Sequence, residues 1–173
     1  MANKFINITS SQVDFSNHNF LMLDTCTVIQ LANENKDLLQ FVKNAALNQV
    51  DFCYSVKTVE ELNILSESQN FPPDKRQANA NRGFFINSSQ QQANRILNKI
   101  NKIPNMCKEP IGEINSDMIP KIQENALKYK LRWGDAVILT IAKENNINGI
   151  VTFDGDYNHV AEDLTIFKGN NKV

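Results

Sequence analysis

The chain has 173 residues, of which 42% are hydrophobic, so we expect one domain with a proper buried core. Its net charge of -1 excludes a strongly basic protein that binds nucleic acid through overall charge, so phosphate binding would need local cations or a metal. The longest apolar run, residues 136–142, is far shorter than the roughly 18 residues of a membrane span, which predicts a soluble protein.

The first part of the chain predicts alternating strands and helices. Residues 1–19 are polar without a clear period, and we interpret them as an N-terminal extension with one edge strand near residues 5–8. The elements predicted next are a strand at residues 20–23, a helix beginning near Val28, a helix at residues 37–48, a strand at residues 52–54 and a helix from its N-cap, Ser55, to about Glu67.

Two prolines, Pro72 and Pro73, must end that helix. We interpret residues 70–104 as an inserted helical arm with a helically spaced apolar stripe. The stripe consists of Ala93, Ile96, Leu97, Ile100 and Ile103. Two interpretations of it stay open: a contact surface for a partner or a second copy of the chain, as in a homodimer, or burial against the chain's own core.

The arm is also rich in basic residues. They are Lys75, Arg76, Arg82, Arg95, Lys99 and Lys102. Together with Phe84 and Phe85 they could line a path for single-stranded RNA, because phosphate contacts and aromatic stacking are the usual means of binding it. The alternative is a solvated helix face with two core phenylalanines.

The last third of the chain returns to strands and helices. The predicted elements are a short strand at residues 110–114, a helix at residues 117–130, a helix at residues 134–145 and strands at residues 150–153 and 164–167. Parallel strands joined by helical crossovers predict an α/β fold, a three-layer α/β/α sandwich with a central parallel sheet and the arm inserted in its middle. We expect residues 20–173 to form this domain.

Four carboxylates are placed so that this fold can bring them together. Asp24 and Asp154 each follow an apolar strand, Glu61 lies on the helix after the second strand, and Asp135 opens an apolar helix. Carboxyl ends of strands in an open α/β sheet face the crevice where ligands bind. Oxygen ligands suit Mg²⁺ or Mn²⁺, and like charges packed together without a cation would raise one another's pKa. The pattern indicates a metal site that hydrolyses phosphodiesters.

Each carboxylate also has a purely structural explanation. Asp24 could close a strand in a turn, and Asp135 could satisfy a helix N-terminus. Glu61 lies three residues after Thr58, as in a capping box, and helical spacing does not choose between Glu61 and Glu60.

Other polar residues give weaker signals. His18 and His159 have no second ligand at suitable spacing and are interpreted as solvated or locally bonded, whereas Cys26 and Cys53 are interpreted as small buried apolar groups. Asp156 has two interpretations, support of the site or an ordinary loop acid. Three cysteines without CxxC spacing, and no secretory signal, indicate a reducing compartment, and we expect a cytoplasmic location.

Four segments carry a resemblance to a known family. They are residues 23–29, 58–62, 133–142 and 151–157. In order and spacing they resemble the signatures of PIN-domain ribonucleases, most closely the VapC-type toxins. The resemblance implies that Asp24 anchors Mg²⁺ or Mn²⁺, that Asp135 and Asp154 complete its direct or water-bridged shell, and that Glu61 orients water or a second ion. Thr152 and Asp156 resemble residues that support these ligands.

The resemblance implies a metal-dependent endoribonuclease that acts on RNA and, within the toxin branch, an antitoxin protein that inserts a basic side chain among the carboxylates. One alternative is a non-catalytic PIN-like scaffold that binds RNA or protein. Another is a Mg²⁺-dependent phosphatase like the haloacid dehalogenases, but such enzymes need a second aspartate two positions after the first, where this chain has Cys26.

Overall fold

The computed structural model of the protein describes residues 5–170, in which a five-stranded parallel sheet is flanked by helices. The strands are β1 (Phe5–Asn7), β2 (Phe20–Leu23), β3 (Asp51–Tyr54), β4 (Gly149–Thr152) and β5 (Thr165–Lys168). The helices are α1 (Thr25–Ala32), α2 (Lys36–Leu47), α3 (Val56–Asn70), α4 (Lys75–Ala80), α5 (Arg82–Ile100), α6 (Met118–Tyr129) and α7 (Trp133–Glu144), with a 3-10 helix at Gly155–Glu162. The predicted α/β fold with a central parallel sheet is confirmed.

Each face of the sheet is covered by its own apolar layer, because successive residues of a strand point to opposite sides. Leu21 and Leu23 of β2 pack in a layer with α1, α2 and α5, whereas Met22 packs in a layer with α6, α7 and the 3-10 helix. Helix α7 is apolar nearly all round, and each of residues 136–142 is at most 1% exposed. This burial fixes the position of the first turn of α7.

The strand order β1-β5-β4-β2-β3 creates a crevice at one place in the sheet. From β2 the chain builds β3 on one side of β2 and later returns to build β4 on the other side. Ligands in open α/β sheets bind outside the carboxyl ends of the strands where the order reverses in this way. Leu23 of β2 pairs with Val151 of β4, so the residues that follow these two strands lie side by side.

The edge strand predicted near residues 5–8 is confirmed, because β1 pairs in parallel with β5 at the edge of the sheet. Residues 1–4 and 171–173, the ends of the predicted extension and of the predicted domain, lie outside the described residues. The division of the chain into an extension of residues 1–19 and a domain of residues 20–173 stays a prediction.

The helical arm packs on the rest of the chain through its apolar stripe. Ala93 and Ile100 are at most 1% exposed, and the other three stripe residues are partly buried against the same layer, so burial against the chain's own core is confirmed. The interpretation of two core phenylalanines is wrong for Phe84, which is 69% exposed. Phe85 is partly buried, with its ring centroid 5.4 Å from that of Phe71. An RNA path along the arm stays a prediction.

Three local predictions are wrong. Residues 110–114 form only an isolated bridge, between Ile111 and Ser55, and the backbone turns at Gly112 with φ 85°. The capping box fails because Ser55 caps α3, accepting a hydrogen bond from the Thr58 amide at 3.1 Å, so Thr58 lies inside the helix. Of the two interpretations of His18, the solvated one is wrong, because the side chain is buried with its ring edge-on to Phe167.

Candidate metal centre

Asp24 links the end of β2 to the start of α1. It is the N-cap of α1, and its Oδ1 accepts a hydrogen bond from the Thr27 amide at 2.7 Å. Its Oδ2 accepts a hydrogen bond from the hydroxyl of Thr152, and the residue is 3% exposed. The structural role of Asp24 is therefore that of a helix cap rather than the expected turn, and the cap does not account for the second, buried oxygen.

The Thr152 side chain links the ends of β2 and β4 through hydrogen bonds. While its hydroxyl donates to Asp24, its Oγ1 accepts a hydrogen bond from the Asp154 amide at 2.9 Å. Asp154 then caps the 3-10 helix, and its Oδ1 accepts from the Asp156 amide at 2.9 Å. The buried Thr152 thus orients both the side chain of Asp24 and the backbone of Asp154.

Asp135 lies in the first turn of α7, whose N-cap residue, Arg132, makes no side-chain capping hydrogen bond. The negative charge of Asp135 is favourable at this end of the helix, as its structural explanation expects. Its side chain is half-buried. The carbonyl of the same residue accepts a hydrogen bond at 3.5 Å from the hydroxyl of Tyr157, which is fully buried. The apolar face of α7 and this contact hold Asp135 at the mouth of the crevice.

Glu61 and Glu60 face different surroundings. Glu61 accepts a hydrogen bond from the hydroxyl of Thr25, the residue after Asp24. Its Oε1 lies where a β-carbon on Gly134 would be. Glu60 instead forms an ion pair with Lys57 at 2.9 Å, and its side chain is 51% exposed. Of the two glutamates, Glu61 is therefore the one that the fold turns toward Asp24 and Asp135.

The acidic side chains change one another's pKa. Burial raises the pKa of Asp24 to about 6, although the hydrogen bonds from Thr152 and Thr27 act in the opposite direction. Burial also raises the pKa of Asp135 to about 7, helped by the negative charges of Asp154 and Glu61. The same desolvation raises the pKa of Tyr157 well above its ordinary value. Two carboxylates whose ionisation is opposed by burial and by neighbouring negative charges indicate a site that a cation would stabilise.

The four predicted carboxylates line one cleft of about 490 Å³. Carboxylate oxygens of Asp135, Asp154 and Asp156 all lie within 4.8 Å of one another, a spacing that one ion could bridge; Asp24 and Glu61 are not members of this group. A cluster of oxygen donors with room for water fits a hard divalent cation such as Mg²⁺ or Mn²⁺. The structure thus brings Asp24, Glu61, Asp135 and Asp154 together, and places Asp156 beside them.

Three residues of this site carried no assigned role in the sequence. Thr25 holds Glu61, Gly134 makes room for it, and Arg132 lines the cleft. The Thr25 hydroxyl next to Asp24 was a readable signal, because a polar residue directly after a site carboxylate lies at the same strand end. The roles of Gly134 and Arg132 depend on residues that are distant in sequence, and the spacing of residues along the chain does not identify them.

Of the remaining candidates, only Cys26 lies at the cleft. His159 is exposed, as predicted, and Cys53 is buried at 1% exposure. Cys26 lines the cleft and is only partly buried, so its interpretation as a buried apolar group is wrong in part. All three cysteines are free. Among the helices within residues 5–170, none has the length and hydrophobicity to cross a bilayer.

Comparison with known proteins gives one finding for the chain. The family model of the PIN domain matches residues 21–163, which include all the carboxylates described above. No curated protein and no solved structure gives a significant match.

Proposed function

Since this chain belongs to the PIN-domain family, whose members are typically nucleases that use divalent metal ions, we propose that it is a Mg²⁺- or Mn²⁺-dependent endoribonuclease. The observation that carries the proposal is the convergence of four carboxylates in one cleft, two of them with raised pKa values. A phosphatase of the haloacid-dehalogenase type is not proposed, because the family match is to a different fold.

The proposed centre divides the work among these residues. Asp24, Asp135 and Asp154 would hold the ion directly or through water, Asp156 would support them, and Glu61 would orient the attacking water. The bound ion would lower the pKa of that water and offset charge on the phosphoryl oxygens. Thr152 would keep the Asp24 carboxylate aimed at the cleft, and Thr25 would do the same for Glu61.

A metal-dependence assay with matched variants tests this function. Purified protein should cleave single-stranded RNA internally with Mg²⁺ or Mn²⁺, stop on chelation, and lose activity by more than about 100-fold as Asp24→Asn or Glu61→Gln. Glu60→Gln removes the neighbouring charge on the same helix and should retain activity. Wild-type-like cleavage by the Asp24→Asn protein, or equal losses for the two glutamine variants, would contradict the assignment.

Within the family, we propose the role of a VapC-type toxin with a cytoplasmic RNA target and an antitoxin partner. The proposal follows from the resemblance of residues 23–29, 58–62, 133–142 and 151–157 to that branch. Expression alone should arrest growth in a manner that requires Asp24, and co-expression with an adjacent small gene should relieve it. Harmless expression of an active nuclease would instead indicate a housekeeping enzyme, and an inactive but RNA-binding protein would indicate a scaffold.

A further inference from the structure

The cleft that holds the carboxylates contains one positive charge. Among the described residues that line it, Arg132 is the sole cation, beside Asp24, Glu61, Asp135 and Asp154. Its side chain is 88% exposed, and its ion pair is a long one, with Nε 3.8 Å from Oδ2 of Asp156. At that distance and exposure the pair contributes little to stability, so the guanidinium can reach an incoming anion at small cost.

An aromatic residue stands directly beside this arginine. Trp133 is the single tryptophan of the chain and begins α7, between Arg132 and Gly134, both of which line the cleft. It is 48% exposed, whereas tryptophan is usually highly buried on average. The half-exposed indole thus belongs to a residue that stands in the sequence between two residues of the cleft lining and two positions before Asp135.

We propose that Arg132 and Trp133 form a subsite for the RNA nucleotide next to the scissile phosphate, with the guanidinium on a phosphate and the indole stacked on a base. This inference rests on the proposed nuclease function. Four carboxylates repel a polyanion, and a bound ion relieves that repulsion only where it touches the scissile group. The neighbouring phosphate needs a cation of its own, which arginine supplies with a fork of donors matched to phosphate oxygens.

The combination of an arginine and a tryptophan favours single-stranded RNA over base-paired RNA. Base stacking on an aromatic side chain tolerates any sequence and requires an unpaired base, whereas an arginine on phosphate adds affinity and register. The site would therefore accept loops and unpaired segments, and its contribution to binding would depend on salt.

Steady-state kinetics on a short single-stranded RNA with Mn²⁺ tests the subsite. Arg132→Gln and Trp133→Leu should each raise KM by about 10-fold with kcat nearly unchanged. Trp133→Phe and Arg132→Lys should recover part of the loss. For Arg132→Gln, the slope of log kcat/KM against log salt should become shallower by about 0.7, the value for one phosphate contact on a single strand.

The matched control is Lys43→Gln, which removes one positive charge from the exposed side of α2. It should leave both KM and the salt slope unchanged. If wild-type protein shows no metal-dependent cleavage, the proposed function fails, and this inference fails with it. If wild-type protein cleaves RNA but Arg132→Gln keeps its KM, or changes only the Mn²⁺ concentration that is needed, the subsite alone is refuted and Arg132 merely holds Asp156.

Discussion

The Glu61 carboxylate occupies the space that a side chain at Gly134 would fill. Gly134 lies in the first turn of α7, and an added β-carbon would collide with Oε1 of Glu61. The contact joins α3 to α7 at the cleft. Because Gly134 has no side chain, the Glu61 carboxylate on α3 can lie against the first turn of α7, which carries Asp135.

Gly134→Ala should therefore separate stability from activity. Alanine favours a helix by up to about 1 kcal/mol over glycine, but here Glu61 must rotate away from the cleft. We expect the melting temperature to change little while cleavage falls at least about 10-fold. Gly83→Ala on α5 is the control, because nothing lies within 4 Å of its added β-carbon. An active Gly134→Ala protein would mean that the position of Glu61 is unimportant.

Thr152→Val tests the hydroxyl shared by Asp24 and Asp154. The change keeps the β-branched shape but leaves the Asp154 amide without its acceptor, at a cost of about 1–2 kcal/mol in unfolding free energy. It also removes the hydrogen bond that lowers the pKa of Asp24, so the acid limb of the pH–activity profile should move to higher pH. Thr165→Val, at a buried position on β5, should leave that profile in place. An unshifted limb in Thr152→Val would contradict this coupling.

Much of this site could be predicted from the sequence because its parts are local. Asp24 and Asp154 each follow an apolar strand. Parallel pairing of β2 with β4 brings the ends of these strands together, independently of the conformation of the connecting loops. Asp135 could be identified because it begins a helix that is apolar nearly all round, which ties its position to the core. These features depend on periodicity and on chain order, which the sequence displays directly.

The remaining features depend on contacts between segments distant in sequence. Glu60 and Glu61 are one residue apart on α3, and only the space at Gly134, some seventy positions later, shows which of them faces the cleft. Residues 110–114 look like a strand, but only Ile111 finds backbone partners, in Tyr54 and Val56. The capping box, by contrast, was a local misreading, because Ser55, the N-cap already predicted from the strand end, caps α3 and leaves Thr58 inside the helix.

The metal-free protein should become less stable as pH rises from 5 to 8. The folded-state pKa of Asp24 is about 6 against 3.8 for the free group, so the folded state binds more protons than the unfolded state. The resulting penalty reaches about 3 kcal/mol well above pH 6, and about 1.4 kcal/mol of it develops between pH 5 and pH 8. Asp135, with a pKa of about 7, acts in the same direction. With chelator present, the melting temperature should therefore decrease toward pH 8.

Asp24→Asn should weaken this dependence of stability on pH. The asparagine side chain keeps an oxygen that accepts from the Thr27 backbone amide, and it has no charge whose burial costs free energy. At pH 8 the metal-free variant should melt several degrees above wild type, at about 2–4 °C per kcal/mol for a chain of this size, although it is inactive. Glu60→Gln, which changes an exposed acid, should keep the wild-type decrease. Identical slopes for wild type and Asp24→Asn would show that Asp24 is ionised throughout.

Divalent metal should reverse the pH trend, because an ion that binds only the folded protein stabilises it and competes with the protons on Asp24 and Asp135. At a Mn²⁺ concentration about 100 times Kd the gain is about 2.7 kcal/mol, or roughly 5–10 °C, and it should be larger at pH 8 than at pH 6.

Asp156→Asn should reduce the gain if the group of Asp135, Asp154 and Asp156 holds the ion, since their oxygens lie within 4.8 Å of one another. Glu60→Gln should retain it, and scanning calorimetry with and without Mn²⁺ measures both. If Asp156→Asn keeps the full gain while Asp24→Asn loses it, the ion sits deeper, against the carboxylate that Thr152 holds.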